Sequence, residues 1–315
     1  MNDPSMAIRI KDLGITFSSR RTGYVDALRG VSLELEKGAT IALVGESGSG
    51  KTTLLRAILG LVRPNMGKII LLGKDMEAPS PQELVSLRRK CGYIPQDPYG
   101  CLPPTLNVLQ AVTEPFFIVH GRKELHQGKE KAKILLKEVG LNDRTLWNSR
   151  VRTSLSGGQR QRVSIARALV LDPMILMADE PTSMQDASTR GEIIGILKRH
   201  VHRGMALVFV THDLFLARAS AERIMVLYKG LPCEEGPSGR IIDDPLHPYT
   251  RSLLAASPRL GKKISSGITG KTTDPPVPEG CPFQPLCPIA TEECRKAPYL
   301  RQVKGRKVAC WKIRE

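Results

Sequence analysis

Apolar and polar residues alternate in a rough two-residue rhythm from Ile8 to Phe17 and again from Val31 to Leu35. That is the pattern of strands buried on one face, so the chain is expected to open with an antiparallel sheet. The run from Thr40 to Val44 is apolar almost throughout and leads through a glycine-rich turn into TTLLRAILGLV at helical spacing. A strand buried on both faces and feeding a helix is predicted there, with a further strand at Lys68 to Leu72. Between about residues 97 and 168 strand signals fade, and segments such as KEKAKILLKEVGL carry apolar residues three and four apart, which predicts a helical insertion. Strand-like runs return at Met174 to Ala178 and Ala206 to Val210, and RIMVLYKG followed by LPCEEG predicts a closing strand pair. Beyond Gly236, Pro and Gly in PLHPYT and TTDPPVPEGCPF argue against long regular elements and predict a linker at residues 262–279. The expected organisation is one α/β domain over residues 1–235, with an antiparallel β subdomain and an α-helical subdomain at about 97–168, and a small extension over residues 236–315.

Composition adds three constraints. No stretch approaches the ~20 consecutive apolar residues of a membrane-spanning helix, and the start, MNDPSMAIRI, lacks the apolar run of a secretion signal. The 47 basic residues outnumber the 31 acidic ones for a net charge of +16, and after Gly236 there are fourteen Lys and Arg against seven Asp and Glu. A solvated basic surface and a tail near acidic lipid headgroups both fit. Scarce aromatics and the lack of a base-stacking pattern argue against nucleic acid. Of seven cysteines, Cys91, Cys101 and Cys233 are scattered, whereas four crowd into the end of the chain, which suits a ligand set in a reducing compartment better than a disulfide framework.

The segment Gly45-Glu46-Ser47-Gly48-Ser49-Gly50-Lys51-Thr52-Thr53 matches G-x-x-x-x-G-K-[ST] after a buried strand and at the start of a helix. Its glycines let successive N–H groups point at phosphate oxygens, and the helix start adds partial positive charge. Lys51 would neutralise the β- and γ-phosphates, the Thr52 hydroxyl would sit on Mg²⁺, and Thr53 would meet the α-phosphate. The apolar strand MILMADE ends in two carboxylates: Asp179 suits the metal, through its water shell, and Glu180 suits the general base that polarises attacking water. The pleat is expected to turn Glu180 to the side opposite Asp179. Leu155-Ser156-Gly157-Gly158-Gln159 precedes a helical stretch and forms a second anion-binding helix start.

With the phosphate loop and the carboxylate strand, this last motif resembles the signature of the ATP-binding-cassette (ABC) ATPases, which are P-loop NTPases. The resemblance implies that Ser156, Gly157, Gly158 and Gln159 act on nucleotide held by a facing subunit. It also implies a Q-loop glutamine at Gln96 in GYIPQDP, a D-loop aspartate at Asp186 in PTSMQD, and an H-loop histidine at His212 in FVTHD. The family more often has leucine where this chain has Gln185. An aromatic against adenine is expected at Tyr24, with Phe17 as the rival and core packing as the plain alternative. The tail, EEGPSGRIIDDPLHPYTRSLLAASPRL, resembles that of the dipeptide, oligopeptide and nickel importer ATPases. The resemblance therefore implies an ATP- and Mg²⁺-dependent ATPase at the cytoplasmic face of a membrane, peripheral to it. Its partners would be a sister ATPase subunit or a second copy, two permeases and, indirectly, an extracytoplasmic binding protein. A soluble cassette ATPase acting on nucleic acid or ribosomes is the alternative. Permease contact is expected near Tyr99, Leu102, Leu106, Val108 and Phe116, each of which would otherwise pack inside the helical subdomain.

Cys281, Cys287, Cys294 and Cys310 stand in C-x5-C-x6-C-x15-C spacing, and four thiolates suit tetrahedral Zn²⁺ or an iron–sulfur cluster. The importer resemblance implies a [4Fe–4S] cluster, with Zn²⁺ as the alternative and unliganded cysteines as the third case.

Overall fold

The opening alternation folds as two long strands, β1 (Met6–Ser19) and β2 (Gly23–Glu36), and the continuous apolar run as β3 (Thr40–Val44), all five residues of which are buried. Helix α1 (Lys51–Ile58) follows, then β4 (Met66–Leu71), β5 (Lys74–Asp75), α2 (Pro81–Arg89) and β6 (Cys91–Ile94). The predicted helical insertion is α3 (Val108–His120), α4 (Leu125–Glu138), α5 (Arg144–Asn148), α6 (Val151–Ser154) and α7 (Gly157–Leu169). Strands resume with β7 (Ile175–Asp179), α8 (Ala187–His202), β8 (Ala206–Thr211), α9 (Leu214–Ser220), β9 (Arg223–Tyr228) and β10 (Leu231–Pro237). The tail carries α10 (Ser238–Asp243), α11 (Pro248–Ala256), β11 (Arg301–Val303) and β12 (Arg306–Val308). The computed structural model describes residues 3–19, 23–257 and 280–314, so the linker expected at residues 262–279 lies outside the described residues.

Two compact units divide the chain. One comprises Met1–Ile8, Glu34–Ala39 and Ile70–Phe209. In it β6 and β7 run parallel, with Cys91 opposite Ile175 and Ile94 opposite Ala178, and the helices of the insertion pack around Val108, Val112, Leu136 and Val163, all fully buried. Helix α2 begins at a capping box in which Ser80 accepts from the Glu83 N–H and the Glu83 carboxylate accepts from the Ser80 N–H.

The other unit comprises Arg9–Leu33, Thr40–Ile69 and Val210–Glu315. Its sheet holds β3 parallel to β9, then β10 antiparallel to β9, then β12 antiparallel to β10 with Glu234 opposite Val308. The boundary expected at Gly236 thus falls inside a strand paired on both edges. One buried cluster joins Ala42 and Val44 of β3 and Val226 of β9 to Ile241, Tyr249, Leu254 and Phe283 of the tail. Two tail helices were not anticipated from the Pro and Gly content. Pro248 in fact occupies the first turn of α11, where a fixed φ and a missing N–H suit a helix start.

A buried polar network closes the tail onto β10. The fully buried Glu234 carboxylate accepts the backbone N–H groups of Leu246 and His247 at 3.0 and 2.9 Å, and Arg306 stands 3.7 Å away, itself almost wholly buried. Arg306 also donates to Asp244 at 2.6 Å and to the Arg240 carbonyl at 2.5 Å. Burial pushes the Glu234 carboxyl up, opposed by those two N–H groups and by Arg306. Glu234→Ala would strand two buried N–H groups and leave Arg306 with Asp244 as its remaining carboxylate, so a loss of roughly 2–4 kcal/mol and a calorimetric melting midpoint several degrees lower are expected.

Candidate functional site

The phosphate-loop residues leave β3 at Gly45, where a Cβ would stand 2.2 Å from the Leu227 carbonyl oxygen of β9. Only glycine fits so close a backbone approach. At Gly50, φ is +102°, and this residue caps α1. The Lys51 ammonium is buried and folds back over the loop, donating to the carbonyls of Gly45 and Glu46 at 2.7 Å each and to the Ser49 hydroxyl at 3.2 Å. Ser47 and Gly48 are exposed, Ser49 is buried, and Thr52 and Thr53 are half-buried on the first turn of α1. That turn carries no acidic residue, so the partial positive charge of the helix start is not offset by a carboxylate of its own.

The Glu46 N–H, meanwhile, donates to the Tyr249 hydroxyl at 3.0 Å. Sequence reading missed this contact, since no local signal links residues two hundred positions apart. In the same unit His212 is exposed just after β8, and the next residue, Asp213, caps α9 by accepting from the N–H groups of Phe215 and Leu216. Tyr24 is 83% exposed on β2 and Phe17 is 43% exposed on β1, so neither is core and both offer an open ring face.

The remaining residues lie in the other unit. Asp179 is buried at the end of β7. Glu180 follows in the left-handed region at φ +48°, which costs a non-glycine residue ~1–3 kcal/mol. The strand alternation expected to aim Glu180 stops at Asp179; the left-handed turn sets its direction instead. Gln96 is exposed beyond β6. Ser156 is exposed at the N-cap of α7, where it accepts from the Gln159 N–H at 3.2 Å while the Gln159 side-chain oxygen accepts from the Ser156 N–H at 2.9 Å. Gln159 is therefore occupied in shaping the cap, and the first turn of α7, with Gly157 and Gly158, carries no acidic residue. Asp186 is exposed at the start of α8. Gln185 is buried and donates to the Gly158 carbonyl at 2.8 Å while accepting from Arg162 at 3.4 Å, which ties the turn before α8 to the start of α7. Of the candidate permease contacts, Leu102, Val108 and Phe116 are buried in the helical core; Tyr99 is exposed, with the Arg160 guanidinium 4.5 Å from its ring centre.

Cys281, Cys287, Cys294 and Cys310 come together around one small cavity also lined by His247 and Phe283. All are free thiols, and the Cys281 N–H donates to the Cys294 carbonyl at 2.8 Å. Burial, with a smaller contribution from the neighbouring thiols, pushes Cys281 up to about 11, and burial pushes Cys287 up as well. Among the described residues no group of three or more His, Cys, Asp or Glu is arranged to hold a metal ion, so neither the expected [4Fe–4S] cluster nor Zn²⁺ is shown. Nor, among the described residues, is any helix long and apolar enough to cross a membrane.

Residues 28–183 match the family described as ABC transporter, and residues 233–294 match the oligopeptide/dipeptide transporter C-terminal region. Over 292 residues the chain is 39% identical to the di/tripeptide transport ATP-binding protein of Pseudomonas aeruginosa, spanning 91% of this chain and 90% of that one. This chain belongs to the ABC transporter ATP-binding proteins of the oligopeptide/dipeptide type. It is 35% identical over 295 residues to the oligopeptide transport ATP-binding protein of Escherichia coli, with 91% and 88% of the two chains covered. Among solved structures, a dimeric ATP-binding cassette in a post-hydrolysis state bound to ADP and Pi is 33% identical, with a TM-score of 0.68 over 73% of this chain and 98% of that one. Like its family, this cassette protein is an ATPase, and ATP and Mg²⁺ are the expected substrate and cofactor.

Gly45→Ala forces a methyl group onto the Leu227 carbonyl and the Ser49 side chain. Such overpacking costs ~1–3 kcal/mol, so nucleotide affinity should fall about tenfold or more in a titration with a fluorescent ADP analogue.

Proposed function

We propose that this cassette protein powers the uptake of peptides or a related small solute through a membrane importer, binding and hydrolysing MgATP as half of a nucleotide-sandwich dimer. The observation that carries the reading is a pair of glycine-lined helix starts. One is governed by a folded-back Lys51; the other, at Ser156, is exposed and free of acidic residues. An exposed signature cap supports a role toward nucleotide held by another subunit. In this scheme Lys51, Gly45, Ser47, Gly48, Ser49, Gly50 and Thr53 hold the phosphates, while Thr52, Asp179 and Gln96 hold Mg²⁺. Glu180 polarises water, His212 steadies the γ-phosphate, and Asp186 serves the dimer seam. Tyr24 stacks on adenine, since its exposed ring meets a flat base without displacing core. Hydrolysis then rests on positioning and charge neutralisation.

The partner is a sister ATPase, as the wording of SGGQRQRVSIARAL and EPTSMQDAS resembles one of two paired family subunits. Residues 1–235 serve as the cassette and 236–315 as the importer-type extension, on the cytoplasmic face of a membrane beside two permeases and, across it, a binding protein. A groove of the helical subdomain, with Leu106, Leu109, Phe117 and Leu125 beside the polar Gln110, Glu114, Arg122 and Lys129, suits a short amphipathic permease helix. The match of the tail to the oligopeptide/dipeptide C-terminal region favours this reading over a soluble ATPase acting on nucleic acid or ribosomes.

Four thiols around one cavity suit a four-cysteine ligand set, and the likeness of their spacing to the importer family's quartet favours a [4Fe–4S] cluster over Zn²⁺. Cys281, Cys287, Cys294 and Cys310 would hold it, and it would supply a staple to a lobe of short elements.

Lys51→Ala should lower ATP hydrolysis by roughly 10²-fold or more and weaken nucleotide binding, whereas Glu180→Gln should lose turnover by a similar factor and still bind ATP. Phosphate-release assays alongside equilibrium binding separate the two; full turnover in Glu180→Gln removes it as the base. Anaerobic purification should yield a brown protein with iron and acid-labile sulfide, and a colourless, iron-free chain would end the cluster reading. Pull-down from membranes should bring two permeases and a sister ATPase.

A further inference from the structure

The peptide unit joining Gly45 to Glu46 is gripped from both sides. Its carbonyl accepts from the Lys51 ammonium at 2.7 Å, and its N–H donates to the Tyr249 hydroxyl at 3.0 Å. In a trans peptide these two groups point in opposite directions, so Lys51 and Tyr249 together set the rotation of one plane. The first belongs to the phosphate loop. The second belongs to the C-terminal extension.

Tyr249 is held on every side. Its ring is fully buried, 4.5 Å from Tyr228 and 5.4 Å from Phe283, and Phe283 meets Tyr228 edge-on at 5.5 Å. Its own N–H donates to His247 Nδ1 at 3.0 Å. Burial holds His247 down to about 4 and hence neutral, with a hydrogen bond to the Ala309 carbonyl that opposes this. A neutral imidazole that donates to Ala309 through Nε2 leaves Nδ1 free to accept. The N–H of His247 is in turn taken by buried Glu234, which Arg306 faces from β12. The HPYT segment thus has a physical account: His247 caps α11, Pro248 starts it, and the cap fixes where the hydroxyl of Tyr249 lies.

A tyrosine needed only to fill the core would be served as well by phenylalanine. Of the two tyrosine hydroxyls in this largely apolar cluster, that of Tyr249 takes a backbone amide of the phosphate loop as its hydrogen-bond partner. A buried hydroxyl is tolerated when that bond is made and penalised when it is not.

We propose that Tyr249 is a positioning residue for nucleotide binding: the C-terminal extension presets the Gly45–Glu46 peptide, and through it Lys51, for the phosphates. This rests on the assignment of Gly45–Thr53 as the phosphate site. The extension is then part of the nucleotide site's support, acting through Lys51 without touching nucleotide itself.

The test uses the full-length chain and a fluorescent ADP analogue with Mg²⁺. Tyr249→Phe keeps the ring and removes the oxygen, so affinity should fall about 3- to 10-fold, the equivalent of one hydrogen bond. Amide hydrogen exchange should rise at peptides containing Glu46. Tyr228→Phe, which removes a hydroxyl from the same aromatic cluster, should leave affinity within twofold. In a Lys51→Ala background Tyr249→Phe should have less effect than alone, because both act on one peptide plane. Unchanged affinity and exchange in Tyr249→Phe would overturn the proposal, as would equal losses in the two Phe variants. Unchanged binding in Lys51→Ala would overturn the phosphate-site assignment itself, and the proposal with it.

Discussion

A loop that grips phosphate through its backbone must keep several N–H groups out of its own hydrogen bonding, so it cannot be shaped by a helix or sheet ladder and has to be shaped by its surroundings. In this chain that support comes from three directions. The fully buried strand β3 delivers Gly45, the Leu227 carbonyl of β9 leaves no room for a side chain there, and Tyr249 takes the Glu46 N–H. Lys51 closes the fourth side with three donated hydrogen bonds.

The same logic explains why the tail is built as it is. Residues beyond Gly236 add β12 to the edge of β10 and contribute Ile241, Tyr249, Leu254 and Phe283 to one core with β3 and β9. Glu234 and Arg306 are buried charges that would be unfavourable singly; the N–H groups of Leu246 and His247 hold the carboxylate, while the Arg240 carbonyl and Asp244 take the two terminal nitrogens of the guanidinium. Four cysteines facing one cavity extend that lobe outward from Phe283.

In the unit that carries the signature, local devices dominate. Ser156 and Gln159 form a reciprocal cap at the start of α7. Gln185, where the family more often has leucine, turns a packing position into a hydrogen bond to Gly158. Glu180 sits in a left-handed turn that its side chain does not favour. Strain of this kind persists only where neighbouring structure imposes it, and it falls on the residue assigned to polarise water.

Sequence alone determined the features that depend on near neighbours. The mostly apolar Thr40–Val44 strand, the glycine spacing before Lys51, the helical insertion and the Ser156 cap each follow from residues within a few positions, where propensity and spacing act directly. The β9–β10 hairpin was legible for the same reason. What tertiary structure alone decided involves partners distant in the chain. Helix α11 was hidden because its proline reads as a breaker until its place in the first turn is seen. The direction of Glu180 passed from the pleat to a backbone turn, and the burial of Val108 and Phe116 depended on which helix faces meet. The hydroxyl of Tyr249 found its amide only because β9, β10 and α11 bring residues 46 and 249 together, a juxtaposition set by packing that no local pattern encodes.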